Sequence, residues 1–166
     1  MRRKKTYKGL VDKSISCMLS AIEIYNKPSF AYREESFAIL AINAWELLLK
    51  SHVLRINNFE ITSIFELNQS NRTKIIKRPN LNRCGNPKSI SIQVAIEKLK
   101  QNNLISKNLL ENLNALIELR DNAIHFIAPQ ITKHIQELGF ACVKNYLTII
   151  KNRQQSLFLT PTFGRH

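Results

Sequence analysis

With 166 residues, 44% of them hydrophobic and only four Gly and five Pro, the chain can bury one core and is short of two, which excludes a disordered chain and sets one domain as the expectation. Twenty-five Lys and Arg against 12 Asp and Glu give a formal charge of +13, a field that favours a polyanionic partner. Three cysteines, Cys17, Cys84 and Cys142, form no pairing or metal-ligand pattern and read as reduced thiols, and no apolar run reaches about 18 residues without charge, so a cytoplasmic location and no membrane partner are expected.

Arg2, Arg3, Lys4, Lys5 and Lys8 make residues 1–9 a basic N-terminal arm. The first helical period runs from Leu10 to Tyr25, with Leu10, Ser14, Cys17, Ala21 and Ile24 on one stripe, and stops before Pro28. A second helix over residues 32–55 is apolar on almost every side, which suits the middle of a bundle. Its one polar line is Ser36, Asn43, Glu46 and Lys50, and its Trp45 sits in a near-continuous apolar run and reads as core.

Residues 56–91 break the helical period. No acid occurs between Glu66 and Glu97, while Arg72, Lys74, Lys77, Arg78, Arg83 and Lys88 fall there. The stretch is too long for an idle connector and reads as an inserted loop or small irregular lobe. Its basic residues suit phosphates held without reading sequence, and a solvated loop is the bland alternative. "NRCGNPK" has the Gly and Asn to bend close to a phosphate, and an ordinary turn explains it equally well.

A short helix over residues 92–103 follows. Ser106 reads as the N-cap of the main helix, 107–128, which Pro129 ends or kinks. The last helix spans 131–153 and leaves 154–166 as an irregular tail. The expected fold is therefore all-α, a compact bundle of four to five helices over residues 10–153, with the long basic insertion between helices 2 and 3.

The main helix carries an anomaly, "ELRDNAIHF" at 118–126. At about 100° per residue Arg120 falls near the middle of the apolar arc, while Asp121 and His125 share the polar side at i and i+4. A guanidinium in an apolar arc is costly unless it is paired or faces an anion. Two readings stand side by side. In one, Arg120 pairs with a carboxylate of another helix, Glu46 being the obvious candidate, and Asp121 and His125 form a surface pair. In the other, Arg120 and His125 serve a phosphate. They lie roughly 140° apart around the axis and about 7 Å along it, so one helix serves one phosphate poorly, whereas two copies meeting at a two-fold axis set one chain's His beside the other's Arg.

Arg120, Asp121 and His125, with four residues between Arg and His near the C-terminal end of a helix, resemble the signature of the HEPN superfamily (higher eukaryotes and prokaryotes nucleotide-binding). "AIEIYNKPSFAYREESFAILAINAWELLLKSHVL" at 21–54 and "NRCGNPKSIS" at 82–91 also resemble a prokaryotic family of unassigned function that is grouped with HEPN proteins and occurs among defence genes. This second similarity covers roughly residues 10–150 and is the more specific of the two.

The resemblance implies a metal-independent endoribonuclease without a cofactor, acting as a homodimer on RNA in toxin or anti-phage defence, with an inhibitor or antitoxin protein as a further partner. It implies that His125 acts as general base or acid, that Arg120 stabilises the transition state, and that Asp121 orients His125 or contacts RNA. Cleavage by the ribose 2'-OH leaves a 2',3'-cyclic phosphate and a 5'-hydroxyl. Asn43, Glu46 and Lys50 either hold Arg120 or line the cleft, or Glu46 and Lys50 simply form an i,i+4 ion pair. The competing reading is a non-catalytic dimeric module that binds RNA or a nucleotide, or docks a partner. No carboxylate cluster or His/Cys spacing suggests a metal site, and His52, His134 and His166 receive no role.

Overall fold

A helix that is apolar on nearly every side must be covered on nearly every side. In the computed structural model, which describes residues 2–68, 78–125 and 131–158, α2 (Arg33–Ile56) meets that requirement. Its most extensive partner is α1 (Arg2–Tyr25), and α3 (Ile92–Gln101), α4 (Lys107–His125) and α5 (Ile131–Phe158) complete the cover. By length and composition α2 could cross a membrane, but 67% of its apolar window is buried inside the bundle, as befits a core helix. The protein is all-α, and the described residues contain isolated β-bridges but no strand.

Local chemistry sets the helix ends. The backbone closes α1 with Asn26 N–H to Ile22 O and Lys27 N–H to Ile24 O, just before Pro28. Glu34 and Glu35 occupy the first turn of α2 and Arg55 its last, both favourable to the helix dipole. Ser91 caps α3 by accepting from Val94 N–H, and Ser106 caps α4 by accepting from Leu109 N–H. Helix α3 ends two residues earlier than its period suggested, because Asn103 takes a left-handed conformation at φ 57°.

Three further features differ from the sequence reading. The basic arm is helical from Arg2, forming the opening turns of α1, because Tyr7 is buried and packs edge-on against Phe59 with ring centroids 5.3 Å apart. The stripe of α1 that faces α2 runs Val11, Ser14, Met18 and Ala21, leaving Leu10 and Cys17 half-buried at its edge. Helix α5 continues five residues beyond Arg153 to Phe158, since no Pro or Gly interrupts it there. The last residues of the expected tail, 159–166, and residues 126–130 around Pro129 lie outside the described residues.

One polar node ties the core together. Ser14 Oγ donates to Ala44 O at 2.6 Å, which uses its only proton, so the 2.6 Å contact with Tyr146 has the tyrosine O–H donating to Ser14. Trp45, 1% exposed, stands edge-on to Tyr146 at 5.5 Å and donates its indole N–H to Cys142 Sγ at 2.9 Å. Helices α1, α2 and α5 are thus joined through fully buried groups, and Trp45 is core as its sequence setting suggested.

Replacing Ser14 by Ala removes both hydrogen bonds of its hydroxyl, the one to Ala44 O and the one from the Tyr146 phenol, and is expected to lower unfolding free energy by about 1–3 kcal/mol. Urea denaturation checks this, with a reduced midpoint at constant slope as the expected result. Burial pushes the Cys142 thiol from 9.0 up to about 12, opposed by the Trp45 hydrogen bond. The native state therefore keeps a proton that the unfolded chain releases above about pH 9, so this contribution is intact below pH 9 and lost as pH rises toward 12. Cys142→Ala should show a shallower alkaline loss of stability than the wild type in urea titrations across that window.

Candidate nucleic-acid interface

The insertion between α2 and α3 is a small pinned lobe. A 3₁₀ turn, Ile61–Ile64, leads into a three-way ladder with bridges Phe65 to Ser89, Leu67 to Pro79 and Leu81 to Pro87. Ile64 and Ile90 are buried at its base and exchange the 2.9 Å bond from Ile90 N–H to Ile64 O. At its tip Asn82 Oδ1 accepts from Cys84 and Asn86 N–H, and Gly85 takes φ 78°, so "NRCGN" is an ordinary side-chain-capped turn. Arg78, Arg83 and Lys88 are exposed on this lobe. Arg72, Lys74 and Lys77 lie outside the described residues.

Lys50 is what pins the lobe. Although it is only 5% exposed, its ammonium pairs with Glu46 one turn earlier and donates to Ser89 Oγ at 2.9 Å. Lys98 of α3 adds a second anchor by donating to Ser63 O at 2.7 Å. Asn43 is exposed and donates to Cys17 Sγ at 3.3 Å, facing α1. The polar line of α2 therefore serves structure: Glu46 compensates Lys50, not Arg120.

At the far end of α4, Arg120 is half-buried, its side chain 27% exposed. Its Nε lies 2.7 Å from Asp121 Oδ1, yet that N–H is aimed away from the carboxylate, which leaves it buried with no hydrogen-bond acceptor. The contact is ionic and side-on. Asp121 is exposed, as the wheel predicted. Helix α4 carries its backbone through His125, five residues on, while the His125 side chain lies outside what is described.

The sequence reading missed Glu35. It is half-buried in the first turn of α2, and its Oε2 is the other buried side-chain atom among the described residues without a hydrogen-bond partner. An acid at that position is explained by the helix dipole alone, so nothing in the sequence marked it.

Charge and motif sit at opposite ends. Tyr7 against Phe59 sets the basic start of α1 beside the C-terminal end of α2, where Lys50 also holds the basic lobe. An apolar groove of about 170 Å³ lined by Tyr25, Phe37, Gly139 and Phe140 marks the other end, where α1 stops and α2 and α5 begin. Because only residues 126–130 separate α4 from α5, the Arg120 end of α4 lies here. From Lys50 to Glu35 is about 22 Å along α2 at 1.5 Å per residue. A second cavity, about 280 Å³ and lined by Trp45, His52, Arg55 and Asn152 among others, lies at the basic end and contains none of the candidate site residues. Among the described residues no three His, Cys, Asp or Glu side chains group as a metal site.

A family model described as Domain of unknown function (DUF3644) matches residues 9–162. No curated protein and no solved structure matches the chain.

If Lys50 anchors the lobe, Lys50→Met should leave the helices folded and free the ladder. Hydrogen exchange at Glu66, Lys88 and Ile90 is expected to accelerate by at least about tenfold, the cost of losing a bond from a charged donor. Unchanged exchange at those amides would assign the anchoring to Ile64, Ile90 and the Lys98 bond to Ser63 O.

Proposed function

The chain belongs to the DUF3644 family, and from that premise we propose that it is a metal-independent endoribonuclease of HEPN type, cytoplasmic and homodimeric, acting in toxin or anti-phage defence under the control of an inhibitor or antitoxin protein. The observation that carries the reading is Arg120. A guanidinium held half-buried, with one N–H buried and unaccepted and a carboxylate only beside it, is a cation kept available for an incoming anion.

The chemistry follows from what RNA offers. The ribose 2'-OH attacks the adjacent phosphorus while the 5'-oxygen leaves, so one proton must be removed and another supplied as charge builds on the phosphorane oxygens. His125, with an imidazole pKa near 6.5 when unperturbed, suits either transfer at neutral pH. Arg120 suits the charge, since its fork stays protonated. Asp121, exposed beside Arg120, limits the fork's freedom and contacts His125 or RNA. Phe140, 79% exposed at the same end of the bundle, gives a second copy an apolar surface to cover, which supports a site shared between two chains.

The opposite placement of the basic lobe favours a second reading, a non-catalytic RNA-binding module. In that case Arg78, Arg83, Lys88 and the start of α1 hold phosphates by themselves, and Arg120 is incidental.

Incubating the protein with total RNA in EDTA separates the two. The nuclease reading expects cleavage with 2',3'-cyclic phosphate ends, inert DNA, and losses of at least about 100-fold in His125→Ala and Arg120→Ala. Binding without cleavage, with a salt slope that falls in an Arg83→Ala/Lys88→Ala variant and is unmoved by Arg120→Ala, identifies the module instead.

A further inference from the structure

Buried polar atoms are nearly always hydrogen-bonded, and an orphan calls for a physical reason. Among the described residues there are two, and they are complementary: Glu35 Oε2 is an acceptor and Arg120 Nε is a donor. Helical periodicity sets each on a stripe that leads to one interhelical crevice. On α2, Glu35, Ala38, Ile42 and Trp45 follow one helical stripe. On α4, the corresponding stripe is Leu109, Leu113, Leu116 and Arg120. The two stripes meet where Trp45, Leu109, Leu113 and Leu116 line one narrow crevice.

The register brings the orphans to one level. The start of α4 lines one cavity with His52 and Arg55 while Leu113 and Leu116 line the crevice with Trp45, so α4 runs against α2, and moving from Trp45 to Glu35 and from Leu113 to Arg120 travels the same way. At 1.5 Å per residue these displacements are about 15 Å and about 10.5 Å, leaving the two Cα atoms about one turn apart in height. A long side chain spans that difference. In the present conformation no hydrogen bond or ion pair joins the two among the described residues, and Arg120 leans on Asp121 instead.

We propose that Glu35 is the positioning residue of Arg120. When a phosphate enters, the guanidinium leaves its side-on contact with Asp121, Nε–H is accepted by Glu35 Oε2, and the two terminal nitrogens turn outward as a fork onto the anion. Without that acceptor, the fork has no fixed plane and Nε–H keeps only its side-on contact with Asp121. The inference rests on the proposal that Arg120 receives phosphate, and it gives the buried, unpartnered Oε2 of Glu35 a use that the helix dipole does not.

The test uses the full chain with Glu35→Leu, Glu35→Gln, Arg120→Ala and the Leu/Ala double variant. Leucine keeps the volume and removes the acceptor, and glutamine keeps a neutral acceptor. Stability of Glu35→Leu should equal or exceed wild type, whereas its kcat on RNA falls about 10- to 100-fold with KM changed less than about twofold, and Glu35→Gln recovers most of the loss. Affinity for a 2'-O-methyl oligoribonucleotide, which cannot be cleaved, is read in parallel, so failure of the nuclease reading is seen as absent cleavage by the wild type and does not decide this question. In that binding assay the Glu35→Leu loss should vanish when Arg120 is already Ala. Wild-type affinity and rate in Glu35→Leu, or losses that simply add in the double variant, would overturn the assignment.

Discussion

The constraint on which the architecture depends is that α2 has almost no face to show to water. Ala38, Ala41, Ala44, Trp45, Leu48, Val53 and Leu54 are buried at 1% exposure or less, so α1, α3, α4 and α5 are arranged as the surfaces that exclude solvent from one helix. The Ser14, Ala44 and Tyr146 hydrogen bonds fix how α1 and α5 are seated on it. Polar groups buried in the bundle are compensated on the spot, as Lys50 is by Glu46 and Ser89, and the basic start of α1 and the basic lobe lie at one end.

Charge and motif are separated. The basic start of α1 and the basic lobe have nowhere to sit except beside the C-terminal end of α2, where Phe59 and Lys50 hold them. Arg120 lies toward the opposite end because α4 runs against α2. Along α2 the rise from Lys50, which holds the lobe, to Glu35, at the Arg120 end, is about 22 Å.

Periodicity carried most of the fold into view. The helix of residues 33–56 was legible because its apolar positions cover every side, and the Ser106 cap because a hydroxyl preceding an apolar period has few other uses. The Glu46 and Lys50 pair was legible as i and i+4. The helical start of α1 was not, since five cations in eight residues look like a solvated arm until Phe59 supplies Tyr7 with a partner from 52 residues away. The ladder in the insertion was hidden because its bridges are isolated and involve Pro79 and Pro87, which read as strand breakers. Arg120 stood out as a charge in an apolar arc, whereas Glu35 did not, because a carboxylate in a first turn needs no explanation until its oxygen is found buried and unpaired.

The central proposal is a phosphate site assembled from the arginine of one chain and the histidine of another. Mixing the Arg120→Ala and His125→Ala proteins, each inactive and each still dimeric, addresses it directly, because a mixed dimer regains one complete arginine and histidine pair while its other site has neither. Recovery of RNA cleavage on mixing, rising with the fraction of mixed dimer, is the expected result. A mixture as inert as its two components, under conditions where subunits demonstrably exchange, would contradict it.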